Sequence, residues 1–188
     1  MNVRIGTEAD IDGILRLQEQ NLYTNLSSAA RANGFVTTPF TAEQIQQLLA
    51  QTGVFVVESA GIVVGYALAG SWDFFDQWAI FPYMVSRFPL LQYQGMTLCT
   101  ENSFQYGPVC LERTQRGSGA LPELFETMRS SFAPRFSLGV TFINRLNSRS
   151  LAAHTRKLNL EIIDEFEFNG RHYYSLAFFT SSDKQVST

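Results

Sequence analysis

The chain is predicted to fold as one mixed α/β domain, and three observations carry that reading. Strand-type and helix-type apolar patterns alternate along it in the order βααββ, an inserted segment, then βαβαββ. In the middle, an apolar run ending at Leu111 breaks into Arg116-Gly117-Ser118-Gly119, and a helical pattern follows with Leu121, Leu124, Phe125, Met128 and Phe132 on one face. Finally, 45% hydrophobic and 13% aromatic content over 188 residues is enough to fill a single core.

The elements follow in order. Val3 to Ile5 reads as a short strand, and Thr7-Glu8-Ala9-Asp10 as a capping-box start to a helix carrying Ile11, Ile14, Leu15 and Leu22. Residues 24–40 are small and polar, with Asn33-Gly34 and Pro39, and read as a loop with room for a helical turn. Thr41-Ala42-Glu43-Gln44 is a second capping box, with Ile45, Leu48 and Leu49 behind it, and Gly53 closes that helix. Val54 to Glu58 and Ile62 to Ser71 flank Ser59-Ala60-Gly61 as a hairpin. Residues 72–98 form an aromatic insert, partly helical, holding Trp72, Phe74, Phe75, Trp78, Phe81, Tyr83, Phe88 and Tyr93. A fourth strand is expected over 104–111, then the glycine turn and its helix to Phe132, then a fifth strand over 136–143. Asn147 to Leu158 reads as a helix capped by Asn147 or Ser148. Leu160 to Phe168 and His172 to Thr180 make a closing hairpin around Asn169-Gly170. With neither repeats nor a linker, one domain is expected over 1–180, followed by a polar tail at 181–188.

Composition excludes several classes. The longest apolar run, Ile62 to Ala69, is too short to span a bilayer, and no secretory signal pattern opens the chain. Two cysteines, Cys99 and Cys110, make no disulfide framework, so a reduced, cytoplasmic protein is expected. Only two lysines and no basic helix argue against nucleic acid. The net charge of −3 is uneven: residues 1–112 carry 4 Lys/Arg against 10 Asp/Glu, and residues 113–188 carry 10 against 7. The basic half holds the glycine turn, which suits a polyanionic ligand.

A strand, a glycine turn and a helix start together present unpartnered amides and the positive end of the helix dipole, and glycine lets a phosphate come close. A P-loop would need Lys-Ser/Thr after the last glycine, where Ala120-Leu121 stands. A dinucleotide fingerprint would need glycine or alanine at Pro122. What remains, Arg116-Gly117-Ser118-Gly119-Ala120-Leu121, resembles the coenzyme A pyrophosphate loop of the GNAT superfamily of N-acetyltransferases, with Leu121 where that pattern ends in Gly/Ala. A second stretch of that family, Asn-x-x-Ser/Ala-x-x-x-Tyr-x-Lys followed by Gly-Phe, is resembled by Asn147 to Leu160. Asn147 and Ser150 match, His154 takes the tyrosine position, and Asn159-Leu160 replaces Gly-Phe.

The resemblance covers nearly the whole chain. It implies a mostly antiparallel sheet flanked by helices, with the fourth and fifth strands splayed to admit pantetheine, and direct acetyl transfer from acetyl-CoA to an amine without a metal. Backbone of Val109, Cys110 and Leu111 would pair with the pantetheine arm, and amides from Gly117, Ser118, Gly119, Ala120 and Leu121 would hold the pyrophosphate. Arg116 would add a charged contact or remain a solvated surface residue, and Asn147 would bind pantetheine, cap its helix, or both. His154 is expected as a general acid toward the departing thiolate, the alternative being a buried histidine bonded to a carbonyl. His172 reads as structural, and no general base stands out: Glu101, Glu112 and Tyr106 lie near the fourth strand without decisive spacing. Cys110 lacks His/Asp partners in the pattern and reads as a core residue rather than a nucleophile. Trp72, Phe75 and Tyr106 are candidates for acceptor recognition, while the aromatic insert serves equally as sheet packing or a homodimer contact. Other readings remain open: a different acyl donor, a hydroxyl acceptor, a non-catalytic coenzyme A sensor, or an interaction domain built on the insert.

Overall fold

A computed structural model of the protein describes residues 1–181; the polar tail expected from Ser181 lies, from 182 onward, outside the described residues. The strands are β1 (Asn2–Ile5), β2 (Val54–Ser59), β3 (Ile62–Gly70), β4 (Gln92–Tyr93), β5 (Met96–Thr97), β6 (Ser103–Leu111), β7 (Leu138–Asn144), β8 (Glu161–Phe168) and β9 (Arg171–Phe179). The α-helices are α1 (Ile11–Asn21), α2 (Ser28–Arg31), α3 (Ala42–Ala50), α4 (Trp72–Phe75), α5 (Ile80–Arg87), α6 (Ala120–Phe132) and α7 (Ser148–Arg156). Seven strands form a mixed, mostly antiparallel sheet in the order β1-β2-β3-β6-β7-β9-β8, and β4-β5 is a separate two-stranded ribbon. The expected fourth and fifth strands are β6 and β7. The ribbon inside the insert was not foreseen, because two-residue strands leave no periodicity to read.

The chain divides into two compact units, the first built from Met1–Ala69 with Gly107–Met128, the second from Gly70–Tyr106 with Arg129 onward. In the first unit, β1, β2 and β3 run antiparallel, with Val3 opposite Val57 and Val56 opposite Tyr66, and a bulge between Val57 and Glu58. The Ala60-Gly61 turn between β2 and β3 takes positive φ at both residues, 51° and 78°, as a tight hairpin requires. The second capping box is present: Gln44 N donates to Thr41 Oγ1 at 3.3 Å, and Thr41 N to Gln44 Oε1 at 2.9 Å. At the first helix, Asp10 accepts from Thr7 N at 2.8 Å and from both terminal nitrogens of Arg4 at 2.7 and 2.8 Å. That carboxylate therefore ties β1 to the helix entry, and the opening turn over Glu8–Asp10 is 3₁₀ rather than α. Gly13 has no room for a side chain, since a Cβ there would meet Val63 at 2.8 Å; α1 packs this closely on β3.

The second unit is a packed aromatic core. β7 and β9 pair along their length, with Leu138 opposite Phe179 and Asn144 opposite Tyr173. Asn169-Gly170 turns β8 into β9 with φ of 49° and 70°. One sheet face carries Phe104, Tyr106 and Phe178, and Phe104 stacks on Phe132 of α6 with centroids 4.2 Å apart. The aromatic insert covers the opposite face: Phe81 lies 5.5 Å from Phe142, and Tyr93 lies 4.9 Å from Phe179. Arg87 of α5 grips Asp164 of β8 with two nitrogens at 2.6 and 2.8 Å. Among the described residues, no helix is long and apolar enough to cross a membrane.

Candidate functional site

The candidate residues fall in both units, and each unit shows its own part. In the first, β6 ends at Leu111, and Glu112 N donates to Val64 O of β3 at 2.9 Å. A 3₁₀ turn over Arg113–Gln115 follows, then Arg116-Gly117-Ser118-Gly119 and the start of α6. Gly117 and Gly119 both sit at positive φ, 89° and 92°, where a Cβ would be strained although it would meet nothing within 4 Å. Their amides make no hydrogen bond among the described residues. Ser118 serves the turn itself: its hydroxyl donates to Gln115 O at 2.7 Å and accepts from Ala120 N at 3.3 Å. Ala120 is fully buried, and Leu121 is half-buried. Open space over two glycines, exposed amides and a helix start fit a phosphate or pyrophosphate.

Arg116 is placed differently from a free surface arginine. Its Nε donates to Leu111 O at 3.3 Å and its Nη1 to Asn33 O. The guanidinium thus clamps the end of β6 to the loop after α2. Glu112 faces Arg16 at 3.7 Å. Cys110 is 5% exposed, and burial pushes its thiol up to about 12, so it is protonated at neutral pH and cannot act as a thiolate nucleophile. Val109 is half-buried, and Leu111 is buried.

The second unit holds Tyr106, Asn147 and His154. β6 pairs with β7 in parallel register through three positions, the last being Gln105 opposite Val140, while β7 continues to Asn144 against β9. Gly107-Pro108 follows at once; proline has no amide to give a ladder, which ends regular pairing. In the sequence this dipeptide marks the end of the β6–β7 register.

Asn147 caps α7, its side chain accepting from Ser150 N at 3.3 Å, and is buried. His154, about two turns into that helix, is 6% exposed. Its Nδ1 lies 2.8 Å from Ser150 O and 3.4 Å from Ser150 Oγ. A carbonyl only accepts, so Nδ1 carries the proton, and a neutral ring then has a lone pair on Nε2. Burial lowers the ring's affinity for a second proton more than the carbonyl bond raises it. Held this way, the neutral side chain has no proton on Nε2 to donate, contrary to the expected resting state of a general acid.

Tyr106 packs against His154 with ring centroids 5.7 Å apart and is fully buried, which raises its hydroxyl far above the ordinary value. Trp72 and Phe75, offered by the sequence for acceptor recognition, lie in the packed interior. Trp72 donates from Nε1 to Ser103 Oγ at 3.1 Å, and Phe75 lies 4.7 Å from Phe81. Both are at most 4% exposed, so they wall the sheet face rather than present a surface. His172 is exposed on β9, 3.9 Å from Glu167, and Glu101 is exposed. Among the described residues, no three side chains of metal-ligating type are grouped.

No family model matches the sequence, and no curated protein sequence matches it. The fold is nonetheless shared with solved structures. A GNAT-family acetyltransferase from Streptococcus agalactiae superposes with a TM-score of 0.62 at 12% identity, covering 95% of this chain and 94% of the other. The ribosomal-protein-alanine N-acetyltransferase of Brucella melitensis does so at 0.59 and 20% identity, covering 95% and 99%. The yncA protein of Salmonella typhimurium, solved with its cofactor acetyl-CoA, gives 0.64 at 15% identity, covering 96% and 94%. The protein has the GNAT fold.

Proposed function

We propose that this protein transfers an acetyl group from acetyl-CoA directly to a primary amine of a small molecule or peptide. The observation that carries the reading is the turn after β6. Two glycines at positive φ hold open amides at the start of α6, at the position where the resemblance puts the pyrophosphate of coenzyme A. Neighbours of the same fold include N-acetyltransferases and one protein solved with acetyl-CoA, which supports the choice of donor.

Amides of Gly117, Gly119 and Leu121 would hold the pyrophosphate, with Arg116 keeping the turn in place; Ser118 N and Ala120 N bond within the turn, to Gln115 O and Ser118 Oγ. The backbone of Val109, Cys110 and Leu111 would pair with the pantetheine arm, and Asn147, which caps α7, would bind that arm. Acetyl-CoA brings the activated acyl group; the chain binds it, orients it and manages protons. No acyl-enzyme is needed, which agrees with a buried, protonated Cys110. Cys99 and Cys110 are both free thiols, as a reducing cytoplasmic setting favours.

The test is release of free thiol from acetyl-CoA in the presence of a panel of primary amines. Amine-dependent release supports the reading. Saturable coenzyme binding without release with any amine would leave a coenzyme A-binding module instead.

A further inference from the structure

We propose that His154 is the proton acceptor of the reaction, its Nε2 taking a proton from the acceptor ammonium, the reverse of the donor role its place on α7 implies by resemblance. The proposal rests on the acyl-transfer reading. The geometry is the hydrogen bond from Nδ1 to the Ser150 carbonyl one helical turn back, at 2.8 Å. A carbonyl cannot donate, so that bond fixes the tautomer and aims an unprotonated nitrogen away from the helix backbone. The Ser150 hydroxyl is farther, at 3.4 Å, and free to donate elsewhere. Nε2 makes no hydrogen bond among the described residues, and the ring keeps 6% of its surface open.

The surroundings favour the neutral ring. Within its unit, the titratable group packed on His154 is Tyr106 of β6, which burial keeps as a neutral phenol. Burial disfavours the charged ring, and this outweighs the opposing hydrogen bond to the Ser150 carbonyl. Among the described residues no carboxylate hydrogen-bonds or ion-pairs with the ring, as a resting imidazolium would require.

The protons and electrons balance without another reagent. Nε2 takes one proton from the acceptor R–NH₃⁺, leaving R–NH₂ and an imidazolium. The amine lone pair forms the N–C bond to the thioester carbonyl carbon, and the C–S electron pair departs with sulfur. The imidazolium returns its proton to that thiolate, giving the thiol and the neutral ring, and the amide nitrogen loses its remaining extra proton to water. Proton donation to sulfur thus comes second, from a proton gained in the first step.

The experiment has two arms. Ring ¹⁵N shifts of the free protein, titrated with pH, are expected to show the Nδ1–H tautomer and protonation below the ordinary value of about 6.5. In turnover, kcat/KM is expected to rise with pH through that value and level off. His154→Gln is expected to lower kcat about 100-fold with acetyl-CoA affinity unchanged, and His154→Tyr, which brings an acid and no base, not to restore it. An Nε2–H tautomer, a profile that falls as pH rises, or full activity in His154→Tyr would overturn the assignment. If wild-type protein binds no acetyl-CoA, the acyl-transfer reading fails, and the ring titration still decides the tautomer on which the proposal depends.

Discussion

Arg116 Nε donates to the carbonyl of Leu111 at 3.3 Å, so the arginine of the glycine turn holds the end of its own strand. A second bond, from Nη1, reaches Asn33 O. On the proposed reading, phosphate recognition would depend on the arginine through the shape of the turn as well as through its charge. Arg116→Ala is expected to cost about 1–3 kcal/mol of stability, because two carbonyls lose a charged donor. Arg116→Lys, with a point charge in place of the fork, is expected to recover little of it. Urea denaturation alongside acetyl-CoA calorimetry checks both; unchanged stability in Arg116→Ala would leave only a charge role.

At Gly119 a Cβ meets no neighbouring atom, and only the backbone conformation objects, with φ at 92°. Gly119→Ala is therefore expected to cost about 1–2 kcal/mol through strain and to weaken acetyl-CoA binding. Gly119→Glu adds a carboxylate beside the proposed pyrophosphate and is expected to abolish binding. Retained affinity in Gly119→Glu would place the coenzyme elsewhere.

Asp10 is 4% exposed, and the Arg4 guanidinium holds its carboxyl below the usual carboxylate range, with Thr7 adding to the effect. A carboxylate depressed in the folded state contributes stability above its unfolded value. That contribution is lost as pH falls through the folded value, in the acid range below about 4. Asp10→Asn is expected to be less stable at neutral pH and to show a flatter acid limb. Parallel stability curves for the two proteins between pH 2 and 7 would contradict this.

Trp72 binds Ser103 Oγ and lies 4.8 Å from Phe88, edge to face. Trp72→Phe is expected to lower stability by about 1–2 kcal/mol, from one lost buried hydrogen bond and lost ring packing, although Ser103 Oγ keeps its bond to Cys99 O at 2.6 Å. KM for the amine is expected to stay the same. A KM change without a stability change would return Trp72 to the acceptor pocket.

The order of elements and the glycine turn were legible because they rest on local signals. Alternation marked the strands, Asn169-Gly170 marked the closing hairpin, and Arg116 to Leu121 marked the glycine turn before α6. Three things were not legible. The roles of Trp72 and Phe75 depend on which sheet face the insert covers, and composition carries no such information. Which ring nitrogen of His154 carries the proton depends on one hydrogen bond to the Ser150 carbonyl, which the sequence pattern left as one of two alternatives. The anchoring of Arg116 needs Asn33, 83 residues away in the chain. One signal was present and unread: Gly107-Pro108 inside a strand pattern announces where regular pairing stops.

Calorimetric titration with acetyl-CoA, comparing wild-type protein and Gly119→Glu, tests the central claim most directly. The account predicts saturable binding by the wild type and none by the variant, with both folded by circular dichroism. Absence of binding to the wild type at millimolar coenzyme, or equal binding to both, would contradict it.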